Sequence, residues 1–195
     1  MADFGVIADV SATLQTVLTD AVSPLAPPPN EPFAEVHDLQ GVIQTAPPRL
    51  TLFLFEVLED MSARNRPRTY TEIPPDVGIR RPTMALLLRY LVTPWSGDRL
   101  TDHRLLGRAM QALYDDAILS GTQLLGGLAG RNDALKVTIE PLTLEERTRI
   151  WHAVQQPYRL SVIYNVRVVH VDSQQEQQLQ PVTRRSLDYA KPEGV

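Results

Sequence analysis

Arg49–Leu58 reads RLTLFLFEVL. Leu50, Leu52 and Leu54 occupy one alternation set; Phe53, Phe55 and Val57 occupy the other. Successive strand side chains point to opposite faces, so apolar residues on both sets describe a strand covered on both sides. Thr83–Thr93 (TMALLLRYLVT) repeats the pattern between Pro82 and Pro94. Proline lacks the N–H that a ladder needs, which makes those prolines punctuation and the two segments central, neighbouring strands.

Outward from this pair the period changes. In Gly5–Val22, residues Ile7, Val10, Leu14, Val17, Leu18 and Ala21 form one apolar stripe, with Asp9, Thr13, Gln15, Thr16 and Asp20 opposite, which is a helix. Thr101–Leu119 reads as a second helix through Leu105, Leu106, Ala109, Met110, Leu113, Tyr114 and Ile118, with Thr101 or Asp102 as N-cap. Thr143 and Glu146 make a capping box for a short third helix to about Val154. Ala34–Leu39, Leu135–Leu142 and Tyr158–Val171 alternate as strands, the last with one uniformly apolar set and one mixed set. Prolines crowd two stretches, Pro24–Pro48 and Pro67–Pro82, which read as long connections. The order describes an α+β domain with helices packed on a mixed β-sheet, spanning 1–172. Residues 173–195 are Gln-rich and nearly free of core residues, a flexible tail.

Composition narrows the function. With 195 residues, 43% of them apolar, the chain can bury a core without staples. Zero cysteines remove disulfides, thiolate nucleophiles and cysteine metal sites together. No apolar run approaches the roughly 20 residues of a bilayer span, and MADFGVIADV has no export signature. A formal charge of -4 disfavours a general nucleic-acid coat.

Catalytic chemistry is sparse. His37, His103, His152 and His170 lack metal-ligand spacing, and no HExxH occurs, so no metal or cofactor is expected. Asp102 and His103 are helix neighbours that do not face each other, and no GxSxG elbow offers a nucleophile. Asp115–Asp116 and Glu145–Glu146 read as solvated faces, and Trp95 and Trp151 as core or interface. Gly121–Arg131 is glycine-rich and ends GGLAGR, without GK[ST] or GxGxxG. A small-ligand or phosphate-binding domain using that loop is the alternative function. Arg64, Arg66, Arg68, Arg80 and Arg81 make Met61–Pro82 locally basic, which suits contact with a protein neighbour better than nucleic acid. The chain reads as a non-enzyme.

Six segments, taken in order, carry a family resemblance: IADVSATL (Ile7–Leu14), RLTLFLFEV (Arg49–Val57) followed by Arg64-Asn65, LLLRYLVTPW (Leu86–Trp95), HRLLGRAMQALYD (His103–Asp115), VTIEPLTLEERTRIWHAV (Val137–Val154) and PYRLSVIYNVRVV (Pro157–Val169). Over residues 3–172 they resemble the amino-terminal domain of the cap, or tail-terminator, protein of contractile injection systems, the phage-tail-like particles of bacteria. Family members often continue into a further domain, where this sequence has only its Gln-rich stretch.

The resemblance implies a tail-terminator-like fold and a structural role. Copies of the chain would form a homohexameric ring that ends the inner tube and anchors the sheath end, with tube and sheath proteins as partners and no membrane. Ring contacts of this kind are heterologous and closed by rotation. It implies a place in the cytoplasm of the producing bacterium, within an assembled particle, whether or not that particle is released. The candidate partner-contacting residues are Arg64, Asn65, Arg66, Arg68, Arg80 and Arg81, of which the family motif touches only Arg64 and Asn65.

Overall fold

The computed structural model describes residues 4–63, 69–73, 76–80, 83–130, 134–171 and 176–179. The chain runs α1 (Val6–Val22), β1 (Phe33–Val36), β2 (Arg49–Glu59), β3 (Thr69–Ile73), β4 (Asp76–Arg80), β5 (Met84–Trp95), α2 (Arg99–Asp115), β6 (Ile118–Ser120), β7 (Ala134–Ile139), α3 (Leu144–Ala153), β8 (Val162–Val171) and β9 (Glu176–Leu179). A six-stranded sheet has the order β1-β2-β5-β8-β7-β6, and a three-stranded sheet the order β3-β4-β9. β1 runs parallel to β2 while the other neighbours are antiparallel, so the sheet is mixed and the fold α+β.

The two segments with double alternation are the neighbours β2 and β5, with Leu52 opposite Val92 and Leu58 opposite Leu87. One face of the sheet carries Leu50, Leu52, Leu88, Tyr90 and Val166. The stripes of α1 (Val10, Leu14, Leu18) and α2 (Leu105, Ala109, Leu113) cover it, all nearly water-free. The opposite face presents Leu91, Trp95 and Ile163 to a smaller cluster made by Leu39, Ile43, Trp151 and Val154. Both tryptophans are thus core residues: Trp95 Nε1 donates to Thr51 Oγ1 (2.9 Å) and Trp151 Nε1 to Ser161 Oγ (3.3 Å).

β5 runs through Pro94 rather than stopping before it, and Leu50 lies opposite. β8 pairs with β5 only as far as Val92, so no strand stands beside Pro94 to miss its N–H. α2 begins three residues earlier than its periodicity suggests, because the cap is Asp98 and not Thr101 or Asp102. The Asp98 carboxylate accepts from the Thr101 amide (2.8 Å) and hydroxyl (2.7 Å). Asp102 is drawn into the structure instead: it accepts from Ser96 Oγ (2.8 Å) and pairs with Arg159 (3.1 Å), whose guanidinium stacks over Trp95 at 4.1 Å. α2 also ends earlier, at Asp115, since Ile118–Ser120 pairs with β7 as a strand.

Met61–Pro82 is more than a connection. It contains the β3–β4 hairpin, with Pro67, Pro74, Pro75 and Pro82 standing in sequence before, between and after its strands. Within the Gln-rich stretch, Glu176–Leu179 pairs antiparallel with β4. The strand order β3-β4-β9 repeats β2-β5-β8, and each member adjoins its counterpart along the chain. Three central strands therefore each have a continuation in a second, three-stranded arm.

Replacing Asp102 by Ala strands a guanidinium that is only 22% exposed and should cost about 2–4 kcal/mol in urea unfolding. Arg149→Ala removes an exposed pair with Glu145 (2.7 Å) and should change stability by less than about 0.5 kcal/mol. Hydrogen bonds hold three carboxyls below their ordinary values: Asp60 through Ser62, Asp98 through Thr101 and Glu146 through Thr143. A depressed folded-state value gives stability that is complete above the unfolded value and lost as pH falls through the folded one. Titration should therefore show this contribution declining below the ordinary 4.5 and 3.8 of Glu and Asp, and Asp98→Ala should flatten that acid limb.

Candidate assembly interface

The six residues singled out in sequence all belong to one segment. Arg64, Asn65, Arg66, Arg68 and Arg81 lie outside the described residues, and Arg80 is the last residue of β4. Thr69 is paired with Arg80, so the two hairpin ends that adjoin Arg68 and Arg81 along the chain stand side by side, opposite the turn between Ile73 and Asp76. Among the described residues, the hairpin register thus brings Thr69 and Arg80 to the same end of the arm.

The glycine-rich loop is not an open anion cradle. Its residues form two short 3-10 turns, Gly121–Gln123 and Gly126–Leu128. The Gly127 amide donates to Asp9 Oδ2 (2.9 Å), and the Leu125 amide donates to Thr13 Oγ1 (3.1 Å). A carboxylate from the first turn of α1 already occupies the place a phosphate would take. Gly126 has φ +60° and leaves no room for a side chain, because a Cβ there would meet the Asp9 carboxylate. The phosphate reading is corrected on that ground: the loop's donors serve to fasten it to α1.

Other candidate chemistry is absorbed by the fold in the same way. Asp102 turns away from His103 to Arg159 and Ser96. Glu146 closes the α3 capping box, its Oε2 accepting from Thr143 N at 2.8 Å, and Glu145 pairs with Arg149. Among the described residues no group of three His, Cys, Asp or Glu is placed to hold a metal ion. Burial pushes the phenols of Tyr90 and Tyr164 up to about 12, Tyr90 against the opposing effect of its hydrogen bond with Ser11, so neither ionises near neutrality. No helix among the described residues is long and apolar enough to cross a membrane.

What remains is surface. The outer edge of β1 is occupied by α1: the Thr19 hydroxyl accepts from the Ala34 amide (3.0 Å) and donates to the Ala34 carbonyl (3.4 Å). At the opposite edge, the Ser120 amide of β6 donates to Gln123 Oε1 (3.3 Å). β1 leaves β2 after Leu52, and among the described residues no strand pairs with the outer side of β2 beyond it. There Val57, Leu58, Met61 and Met84 are exposed, grouped where the six-stranded sheet gives way to the arm. On the sheet surface beside them, Arg89 links Glu56 (2.5 Å) to Glu140 (3.4 Å), and Asn165 donates to Glu140. Sequence reading did not find this region, though the exposed tail of an otherwise apolar strand, EVLED at 56–60, was its signal.

Comparison with known proteins fits the chain to one architecture. A cryo-EM structure of a PVC sheath/tube terminator of an extracellular contractile injection system, in its extended state, matches with a TM-score of 0.63 at 18% identity, over 97% of this chain and 65% of that one. The tube-terminating cap of the anti-feeding prophage matches with a TM-score of 0.62 at 18% identity, over 97% of this chain and 62% of that one. The chain therefore spans less than two thirds of the length of either protein, and at this identity the likeness is one of fold. No curated protein matches by sequence. The family model of the Pvc16 N-terminal domain matches residues 9–185, and this chain belongs to that family.

Proposed function

We propose that the chain is a structural, non-catalytic subunit of a cap that terminates the tube and holds the sheath end of a contractile injection particle. The observation that carries this reading is the family match over residues 9–185, supported by the fold shared with two terminator proteins along 97% of the chain. Its site chemistry agrees, since the acids and loop amides that suggested catalysis or ligand binding are used internally.

The mechanism is one of unlike faces. A tube grows because each ring offers the next a complementary surface, so a terminator must match the last ring on one side and offer no repeat of that surface on the other. Copies would close head-to-tail into a ring, taken here as a hexamer, through heterologous contacts. Side-chain caps at Ala34 and Ser120 suit such a body, because unpaired edges invite indefinite strand addition. Arg64, Asn65, Arg66, Arg68, Arg80 and Arg81 are assigned to contact acidic surfaces of tube or sheath, and residues 173–195 to reach past the domain at 1–172. The particle assembles in the producing cell and acts outside it.

Electron microscopy of particles assembled with and without the chain tests this directly. With it, extra density is expected at one extremity and tube lengths cluster narrowly; without it, lengths spread and sheath ends fray. A protein that sediments as a strict monomer and never co-purifies with tube or sheath would overturn the reading. Reversing Arg64, Arg66 and Arg68 to Glu should reduce recovery on particles at least tenfold with the melting temperature unchanged, and recovery at the original level would remove those arginines from the interface.

A further inference from the structure

We infer that free copies of this chain pair through the outer face of α2, antiparallel, about a two-fold axis at Gly107. The inference goes beyond the cap reading and does not depend on it.

The inner face of α2 is complete, with Leu105, Leu106, Ala109 and Leu113 buried in the core. On the outward side Leu100, Gly107 and Tyr114 recur every seven residues, with His103, Arg104 and Gln111 beside them, all exposed. Leu100 is 65% exposed and Tyr114 83%, two large apolar side chains held in water on one line of the helix. Gly107 lies midway between them, and a Cβ there would meet nothing within 4 Å. No steric need within the described chain therefore accounts for a residue that costs about 1 kcal/mol relative to alanine in a helix interior. On the outward line of a helix, glycine lets a second backbone come close.

The order of residues along α2 selects the occupant. Leu100 stands seven residues before Gly107 and Tyr114 seven after it, about 10.5 Å to either side. An antiparallel second copy thus sets Tyr114 beside Leu100 at both ends and Gly107 against Gly107 at the centre. Arg104, Gln111 and Asp115 follow one flank of this stripe. In an antiparallel pair like flanks adjoin, so Arg104 of one copy reaches Gln111 and Asp115 of the other. Charge is distributed to match. Arg99, His103 and Arg104 lie in the N-terminal half, Asp115 and Asp116 at the C-terminal end. The acids of the N-terminal end, Asp98 and Asp102, are already engaged by Thr101 and Arg159. Exposed cations near a helix start and acids at its end oppose the helix dipole, and an antiparallel neighbour brings these unlike ends together, where a parallel one would set like on like. A two-fold contact uses the same patch on both copies, so it shields Leu100 and Tyr114 of the free chain and stops at the pair.

The chain has no cysteine, so single introduced ones report alone. Purified full-length chains carrying Leu100→Cys, Gly107→Cys or Tyr114→Cys are oxidised at equal concentration, beside Leu144→Cys on the exposed face of α3 as the collisional control. Disulfide-linked dimer is expected at least tenfold faster than in the control from Gly107→Cys alone and from an equimolar mixture of the Leu100→Cys and Tyr114→Cys chains. Either of those two chains by itself should link no faster than the control, because its counterpart lies about 21 Å away. The control rate throughout, or rapid self-linking of Leu100→Cys or Tyr114→Cys, overturns the inference. Sedimentation of the uncrosslinked chain supplies the second arm. Arg104→Asp should shift the wild-type dimer to monomer, and adding Asp115→Arg to the same chain should restore it; identical sedimentation of all three chains overturns the inference. None of these outcomes bears on the cap reading, which is tested at particle ends.

Discussion

Every other feature of this molecule depends on the enclosure of β5. Both its edges are paired, to β2 and to β8, and both its faces are covered along Leu88–Trp95. A buried backbone N–H or C=O without a partner costs about 1–3 kcal/mol, so such a strand cannot exist before its neighbours are in place. The sheet is thus built outward from Met84–Trp95, and the helices are recruited by what that sheet exposes. α1 and α2 bury one face under Leu14, Leu18, Leu105 and Leu113; a loop and α3 bury half of the other with Ile43 and Trp151. The same enclosure explains where the surface is active. Unsatisfied strand edge is possible only at the periphery, and the fold removes most of it.

That removal is done by polar side chains on non-strand elements. The Thr19 hydroxyl on α1 engages both the N–H and the C=O of Ala34 that β1 would otherwise offer to another chain. Gln123, in the turn after β6, turns back on Ser120. Asp9 and Thr13 perform a related task on the glycine-rich loop, whose amides would otherwise face solvent or an anion. Each neutral hydrogen bond of this kind adds only about 0.5–1.5 kcal/mol of stability, and the one to the Asp9 carboxylate about 1.5–3 kcal/mol. Their larger effect is to deny the backbone group to an outside partner, which is a statement about assembly rather than folding.

How much of this could be read in the sequence divides along the range of the interaction. β2 and β5 were legible because two-sided burial writes apolar residues onto both alternation sets, and α1 because its stripe is uninterrupted. The α3 start was legible since Thr143 and Glu146 lie three residues apart and need nothing else. Asp98, Thr101 and Asp102 are all capping types within five residues, and the choice among them was made by Arg159, 57 residues further on. Likewise Ile118, read as the last residue of the α2 stripe, is an exposed strand residue opposite Lys136, and Tyr114 of the same stripe is exposed too. The loop that resembled a phosphate site was closed by Asp9, 118 residues away in sequence. The arginines of 64–81 gave a charge pattern in the sequence and no geometry, because charge composition alone fixes no partner.

The division of labour between body and arm follows from these constraints. In the six-stranded sheet, helices cover one face and side chains cap the outer edges at Ala34 and Ser120. The arm prolongs the same three strands in the same order, β3-β4-β9 after β2-β5-β8, and its two outer strands have no further strand beside them among the described residues. The proposed cap role calls for a rigid body and for adhesion at only a few defined places. The arm is a separate sheet with its own ladders, joined to the body along the chain between β2 and β3, between β4 and β5 and between β8 and β9, so the body's ladders do not depend on it.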